Sequence, residues 1–248
     1  MLHVSRISKS FQFKYSATDA LKDCSLSIGE REFVSIIGPS GCGKSTLLNT
    51  IAGLIDPDEG DVIFRDQSIV NRTGEFGYMP QQDVLFPWRT ILDNVILPLE
   101  INGLNRKEAK ERANPYFEKF GLEGFQYQYP RALSGGMRQR ANFLRAVLPA
   151  YPLLLLDEPF GRLDALTRSQ LQQWLLQTYE ELQASLLLIT HDIEEAILLS
   201  DRIYVMSSRP GTIIEEVRVP YARPRNREVL YEESFSRLKK QITEYLHG

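Results

Sequence analysis

The chain has 248 residues, 43% of them hydrophobic, which suits one large α/β domain or two small ones with ample buried core. A formal net charge of −3 and a pI near 5.8 give no electrostatic case for nucleic-acid binding. No stretch approaches the roughly 18 apolar residues of a membrane span, and the first residues lack the apolar centre of a signal peptide. We therefore expect a soluble, cytoplasmic chain unless a partner holds it elsewhere.

Residues 38–46 fit the pattern G-x-x-x-x-G-K-[ST] of a phosphate-binding loop. The apolar run 33–37 precedes the pattern and the apolar-rich segment 47–52 follows it, so strand, glycine loop and helix occur in the required order. Glycines let the loop turn its N–H groups onto phosphate oxygens, and the helix adds its positive end. Lys44 is expected to reach the β and γ phosphates and Ser45 to ligate Mg²⁺. The candidate nucleotide-binding residues are Gly38, Pro39, Ser40, Gly41, Cys42, Gly43, Lys44, Ser45 and Thr46.

The chain has two cysteines, Cys24 and Cys42. Cys42 lies inside the predicted phosphate loop, which a disulfide would stiffen. We expect both to be free thiols in a reducing compartment.

Residues 84–149 contain helical patterns rather than strand patterns. Residues 84–88 (Val-Leu-Phe-Pro-Trp) are unusually apolar for a loop, and Thr90 resembles the start of a capping box that opens a helix. A second helical stripe consists of Ala109, Ala113, Tyr116, Phe117 and Phe120. Pro115 lies within that stripe and should kink or interrupt the helix.

The segment after this stripe predicts another helix start. Ser134 can cap the N-terminus, and Met137, Ala141, Leu144, Val147 and Leu148 form an apolar stripe. A helix N-terminus with two glycines and a serine hydroxyl is also suited to binding an anion.

Three further apolar runs each end in a chemically useful residue. Residues 76–79 lead to Gln81, residues 153–156 to Asp157 and Glu158, and residues 186–189 to Thr190 and His191. Uninterrupted apolar runs are typical of parallel strands covered on both faces, and ligands bind beyond the carboxyl ends of such strands. Taken singly, each of these residues is explained equally well by a structural role. Gln81 then serves as a loop amide, His191 as a helix cap and the acid pair as part of a turn. Their shared position at strand ends favours one site.

The two adjacent acids point in different directions and can divide the work. Asp157 is expected to contact the Mg²⁺ shell, and Glu158 to act as general base on an attacking water.

The last part of the chain contains a basic run and a helical stripe. Arg223, Arg225 and Arg227 are followed at once by acids, which favours a solvated surface. Residues 228–246 predict a C-terminal helix that packs against its own domain, with an apolar side formed by Phe235, Leu238, Ile242, Tyr245 and Leu246.

The octapeptide at residues 133–140, Leu-Ser-Gly-Gly-Met-Arg-Gln-Arg, resembles the signature of the ATP-binding-cassette (ABC) family. The other family motifs occur in the expected order and cover nearly the whole chain. The resemblance implies an α/β P-loop NTPase fold of the ABC type, with a RecA-like, mostly parallel sheet and a helical subdomain. It also implies ATP and Mg²⁺ as cofactors.

The resemblance assigns roles residue by residue. Gln81 matches the glutamine loop, which contacts Mg²⁺ and relays to the membrane partner, and His191 matches the switch histidine at the γ phosphate. Asp164 matches the D-loop at the dimer seam. The signature residues that close on the ATP of the opposite subunit are Leu133, Ser134, Gly135, Gly136 and Met137. Phe11 is the candidate for stacking on adenine, with Phe13 and Tyr15 as rivals.

Two positions depart from the family pattern. Met137 stands where many members carry glutamine, which puts the ribose contact across the dimer in doubt. Arg162 occupies a D-loop position at which family members usually carry a small residue, and this departure affects the expected dimer seam.

One cassette domain is expected over residues 1–248. Its core comprises residues 1–83 and 150–220, its helical subdomain residues 84–149, and its tail residues 221–248. In the family, the region of residues 84–88 and the glutamine loop receives the permease's coupling helix. Phe86 and Trp88 fit that groove or a small core equally well.

The resemblance therefore implies the ATPase subunit of an ABC importer, at the cytoplasmic face of the inner membrane. Its partners are a second copy or a paralogue, a permease dimer and, indirectly, a solute-binding protein, with no nucleic acid. Residues 85–88, the signature and residues 223–225 resemble the nitrate, sulfonate and taurine branch, which also serves bicarbonate, pyrimidines and thiamine precursors. Two rivals remain: a soluble ABC ATPase of translation or DNA repair, and a regulatory module that binds ATP without hydrolysing it.

Overall fold

The computed structural model describes residues 1–13, 16–161, 163–223 and 225–247. Its strands are β1 (Leu2–Phe13), β2 (Ser16–Ile28), β3 (Phe33–Ile37), β4 (Glu59–Phe64), β5 (Gln67–Ser68), β6 (Gly77–Met79), β7 (Leu153–Asp157), β8 (Ser185–Ile189), β9 (Arg202–Met206) and β10 (Ile213–Arg218). Its α-helices are α1 (Lys44–Ile51), α2 (Ile91–Val95), α3 (Leu97–Ile101), α4 (Arg106–Lys119), α5 (Gly135–Val147), α6 (Ala165–Leu182), α7 (Ile193–Leu199) and α8 (Glu233–His247). Short 3-10 helices span Pro130–Ala132 and Arg227–Tyr231.

Six strands form the central sheet, in the order β10-β9-β3-β8-β7-β6. Neighbours from β9 to β6 are parallel, and only the edge strand β10 is antiparallel. Every residue of β3, β7 and β8 is buried. The four strands predicted from apolar runs are therefore confirmed, with their carboxyl ends side by side at one edge of the sheet.

The central sheet is buried on both faces because alternate side chains of each strand enter different cores. Leu153 and Leu155 of β7 pack with α1 and the antiparallel strands, whereas Leu154 and Leu156 pack with helices α2, α4, α5 and α6. This two-sided burial explains why the strand reads as an unbroken leucine run rather than as an alternating pattern.

A second sheet is antiparallel, in the order β2-β1-β4-β5. The apolar runs did not predict this sheet. Its pairing shifts register between Val4 and Ile7 and again beyond Ile7, so the alternation of buried and exposed residues is broken along β1. The sheet packs over α1, and Phe11 of β1 is partly buried against the same core.

Residues 84–149 form helices and loops without a strand. The side chain of Thr90 accepts a hydrogen bond from the Asp93 N–H at 3.2 Å, which confirms the predicted cap of α2. Of the kink or interruption predicted at Pro115, the interruption is wrong, since α4 continues to Lys119. Ala109, Ala113 and Phe117 are buried along one side of α4, and this packing outweighs the lost hydrogen bond.

The C-terminal α-helix starts later than the sequence predicts. The predicted helix over 228–246 begins as a 3-10 helix, and α8 starts only at Glu233. Its apolar side does pack on the domain, with Phe235, Leu238 and Ile242 buried.

The basic run is not the solvated surface that its composition favours. Arg225 is only 6% exposed and donates to the carbonyl oxygens of Ile197 and Ser200 at the end of α7. The Arg223 guanidinium lies 4.4 Å from the ring centre of Tyr179. The carbonyls left free at the end of α7 supply partners that a one-dimensional charge pattern does not reveal. Pro224 lies outside the described residues.

Among the described helices, none is long and apolar enough to cross a membrane.

Candidate functional site

The carboxyl ends of β3, β8, β7 and β6 bring the predicted site residues together. Glu158, directly after β7, is the centre of this cluster. The Gln81 amide donates to its Oε2 at 3.1 Å, and His191 Nδ1 lies 3.3 Å from its Oε1. Residues separated by up to 110 positions in sequence therefore meet at one carboxylate.

The phosphate loop leads from β3 into α1. Gly43 has φ 117°, and a Cβ atom there would lie 2.6 Å from the Ala20 carbonyl oxygen, so only glycine fits. Among the residues that the structure describes, no side chain caps the first turn of α1. Its N–H groups thus remain available to an anion, as the sequence pattern predicts.

Lys44 is 7% exposed, and its ammonium stays inside the curve of the loop. It donates to the carbonyl oxygens of Gly38 at 2.8 Å and Pro39 at 2.9 Å. The lysine therefore places its positive charge where the loop's N–H groups and the α1 dipole also favour phosphate. Cys42 and Cys24 are both buried free thiols, as expected.

Asp157 ends β7 and is 3% exposed. Its Oδ1 is buried and has no hydrogen-bond partner among the described residues. Burial raises the pKa of Asp157, as does the charge of Glu158, while the Ser45 hydroxyl and the Lys44 charge act in the opposite direction. A buried carboxylate oxygen with an unmet bond, beside a serine hydroxyl, fits a hard divalent cation such as Mg²⁺.

Glu158 has a left-handed backbone, with φ 48°. Two backbone contacts hold it: its N–H donates to the Ile189 carbonyl at 2.9 Å, and its own carbonyl accepts from Gln139 Nε2 at 3.0 Å. The turn directs the Glu158 side chain toward Gln81 and His191 while Asp157 remains buried. The divergence expected of adjacent acids is therefore present.

The signature residues 133–137 lie at the start of α5 and are not among the residues that contact the Glu158 carboxylate in the described part of the chain. Ser134 caps α5, and its hydroxyl accepts from the Met137 N–H at 3.3 Å. Leu133 is buried, whereas Ser134 and Gly135 are exposed and Gly136 is half-buried. No hydrogen bond or ion pair in the described part of the chain joins them to the phosphate loop. The start of α5 is thus open to solvent.

The remaining predicted residues lie on β1 and at the start of α6. Phe11 is half-buried on β1, opposite Thr18 of β2, and Lys9 Nζ lies 5.9 Å from its ring centre. The rival Tyr15 and the side chain of Phe13 lie outside the described residues, as does Arg162. Asp164 caps α6 by accepting from the Thr167 N–H at 3.0 Å, and hydrogen bonds from Thr167 lower the pKa of Asp164.

The sequence analysis did not identify the residues that support the site segments through hydrogen bonds. Gln139 supports the Glu158 turn, and its place within the helical signature segment was the only signal. The Arg138 guanidinium donates to Asp83 at 2.9 Å and so ties α5 to the glutamine loop. Arg209 binds the phosphate loop from outside, and no motif marked it.

Comparisons with known proteins agree with this geometry. The family model described as ABC transporter matches residues 21–161. The chain is 48% identical to the formylaminopyrimidine import ATP-binding protein ThiZ of Halalkalibacterium halodurans, over 93% of this chain and 91% of the relative. It is 40% identical to the aliphatic sulfonates import ATP-binding protein SsuB of Bacillus cereus, over 96% and 93%. A solved dimeric structure of the ATP-binding cassette MJ0796, bound to ADP and Pi in a post-hydrolysis state, superposes with a TM-score of 0.81. That cassette is 32% identical, over 90% of this chain and all of its own.

Proposed function

Because the chain belongs to the ABC transporter family, whose cassettes bind and hydrolyse ATP, we propose that it is the ATPase subunit of an importer. It would couple ATP binding and hydrolysis to solute uptake through a separate membrane permease. The names of relatives that match it over more than 90% of its length support the import direction. The same names favour a sulfonate or an aminopyrimidine as the solute, and both classes belong to the importer branch that the sequence resembles.

The residues at the sheet edge divide into binding and chemistry. Lys44 and the N–H groups of the phosphate loop would hold the β and γ phosphates, and Phe11 would stack on adenine. Asp157, Ser45 and Gln81 would hold Mg²⁺, since Asp157 Oδ1 is a buried acceptor without a hydrogen-bond partner among the described residues. The bound ion supplies positive charge that screens the phosphate oxygens.

Glu158 would act as the general base on the attacking water. Gln81 and His191 contact different oxygens of this carboxylate, which fixes its plane. A fixed carboxylate accepts a proton without first reorganising, and this is the main contribution a positioned base makes. His191, 59% exposed on its side chain, would also bond the γ phosphate.

The exposed start of α5 supports a dimer in which each subunit completes its partner's site. Ser134 and Gly135 present a hydroxyl and helical N–H groups to solvent rather than to their own phosphate loop. We place these groups on the γ phosphate of a second copy or a paralogue, with Asp164 at the seam. The dimeric form of the similar cassette supports this arrangement.

A preorganised aromatic surface supports the permease contact. Trp88 is 70% exposed, and its ring centre lies 5.3 Å from that of Phe86. The buried Asn94 holds this loop, accepting from the Phe86 N–H and donating to the Phe86 carbonyl. Exposed aromatics on a fixed loop favour the docking alternative over a small core. This surface would seat the permease and keep the subunit peripheral at the cytoplasmic face.

The observation that carries the proposal is the convergence of Gln81 and His191 on Glu158 beside a phosphate loop. Its test is reconstitution of the chain with the permease encoded nearest its gene, in vesicles, followed by uptake assays with nitrate, taurine, alkanesulfonates and formylaminopyrimidine. We expect ATP-dependent uptake of one of these solutes, aided by a secreted solute-binding protein. Absence of permease association, together with ATPase activity stimulated by ribosomes or DNA, would overturn the importer.

The aromatic surface has its own test in Trp88→Ala. We expect the variant to lose most of its association with the permease, about tenfold in affinity, because an exposed aromatic anchor typically carries 1–2 kcal/mol. Pull-down titration measures the effect, with unchanged thermal unfolding as the check on folding. Tyr231→Ala, at an 88% exposed tyrosine on the C-terminal 3-10 helix, is the matched control. Equal association of both variants would remove this surface from the proposal.

A further inference from the structure

Residues 207–212 form a closed loop between β9 and β10 that lies against the phosphate loop. The Ser207 N–H donates to the Thr212 carbonyl, and the Thr212 N–H donates to the Ser207 hydroxyl, both at 3.0 Å. Two further hydrogen bonds tie Gly211 to β2: its N–H donates to Ala20 and its carbonyl accepts from Lys22. The loop is therefore anchored to both sheets before any contact with the phosphate loop is considered.

Arg209, in the middle of this loop, binds the phosphate loop from its outer side. Its Nε and Nη2 both donate to the carbonyl oxygen of Gly41, at 3.1 and 2.7 Å. Gly41 has φ 75°, a left-handed conformation that directs its carbonyl outward. Charge-assisted hydrogen bonds to one carbonyl oxygen fix the orientation of that peptide unit.

The orientation of this peptide matters because the phosphate loop binds anions with inward N–H groups. Water can satisfy an exposed carbonyl such as that of Gly41 but leaves its peptide plane free to rotate, whereas a guanidinium held in place restricts that rotation. Lys44 satisfies the Gly38 and Pro39 carbonyls from inside, and Arg209 satisfies Gly41 from outside. The guanidinium also adds a positive charge beside a site that accepts a polyanion.

We propose that Arg209 is a positioning residue for ATP, which holds the phosphate loop in its anion-binding shape and fastens it to the sheet that carries Phe11. It contacts no substrate atom itself. The effect belongs to nucleotide affinity rather than to the chemical step, because the contacts of Glu158 do not involve Arg209. The inference rests on ATP binding alone, so the importer function can fail without affecting it.

The test compares Arg209→Ala, Arg209→Gln and Arg209→Lys with the wild type in the full-length protein. Affinity for ATP is measured by displacement of a fluorescent ATP analogue, and kcat and KM by phosphate release. We expect Arg209→Ala to raise the Kd and KM for ATP about threefold to tenfold and to leave kcat within about twofold, since one charge-assisted contact at an exposed site is lost. Arg209→Lys keeps the charge and one donor and should recover about half of the loss.

Arg218→Ala is the matched control, because it removes the same charge from an exposed arginine of β10 that makes no hydrogen bond to the phosphate loop within the described residues. Its ATP affinity should equal that of the wild type. Arg209 is itself exposed, so thermal unfolding of all variants should be unchanged. A Kd within twofold of the wild type for Arg209→Ala, or equal losses in Arg209→Ala and Arg218→Ala, would overturn the proposal. A fall in kcat with unchanged KM would also contradict it.

Discussion

Glu158 adopts a backbone conformation that residues other than glycine avoid, at a cost of about 1 kcal/mol. The strain is sustained by the hydrogen bonds to Ile189 and Gln139, which belong to the neighbouring strand β8 and to helix α5. Ser134, the serine of the signature, caps the N-terminus of the same helix. A movement of α5 would therefore act directly on the turn that orients the carboxylate.

Glu158→Gln removes the proposed general base and keeps the shape of the side chain. We expect ATP hydrolysis to fall at least about 100-fold, because a positioned general base contributes a factor of 10² to 10⁴. Affinity for ATP should stay within about threefold, since Lys44 and the loop N–H groups are untouched. Phosphate release and analogue displacement measure the two quantities.

The matched control is Glu194→Gln, which changes an exposed carboxylate on α7 whose partner is Lys239. This variant should hydrolyse ATP at the wild-type rate. Unchanged hydrolysis in Glu158→Gln would show that another group accepts the proton.

At the scale of elements, the prediction from sequence succeeded where the signal was local. Four apolar runs gave four strands of the parallel sheet, and Thr90 and Ser134 marked helix starts. It failed where the outcome depended on distant contacts. Register shifts along β1 break the alternation of buried and exposed residues by which a strand is predicted. The burial of one side of α4 outweighs the hydrogen bond lost at Pro115, so the helix is not interrupted there.

Asn94 shows how a single buried amide organises a loop that the sequence left undecided. It is fully buried, and its side chain bonds the backbone of Phe86, Arg89 and Thr90. No pattern in one dimension distinguishes this asparagine from a surface one. Sequence reasoning therefore left Phe86 and Trp88 equally suited to a core and to a docking surface.

Asn94→Ala should lower the free energy of unfolding by about 2–4 kcal/mol, because buried backbone groups of the loop lose their partners. Urea unfolding, followed by tryptophan fluorescence, measures the change, and Trp88 lies within the affected loop. Asn102→Ala removes an exposed amide bonded to the Tyr151 hydroxyl and is the control, with an expected change below about 0.5 kcal/mol. If both variants unfold at the same urea concentration, Asn94 does not organise the loop.

At the scale of the whole molecule, the C-terminal tail is bonded to the helix that follows His191. Helix α7 starts two residues after His191, and its last carbonyls accept hydrogen bonds from Arg225 and Arg223. Burial lowers the pKa of Arg225 to about 10, which still leaves it charged at neutral pH. A cation at a helix C-terminus complements the helix dipole as well as satisfying its carbonyls.

The tail therefore contributes to the stability of the element that positions His191, and Arg225→Met tests this contribution. We expect the free energy of unfolding to fall by about 3 kcal/mol, because the carbonyls of Ile197, Ser200 and Tyr221 all lose a charged donor while the volume is kept. Hydrogen exchange of the α7 amides should rise more than that of β3, since α7 loses its C-terminal partner directly.

Arg237→Met, at a side chain 73% exposed on α8, provides the comparison for loss of a tail arginine. Its stability should change by less than about 0.5 kcal/mol. Exchange that rises uniformly across the protein in Arg225→Met would indicate global destabilisation without a specific role at α7. Exchange confined to α7, with slower ATP turnover at unchanged ATP affinity, would establish that the tail reaches the active site through the helix behind His191.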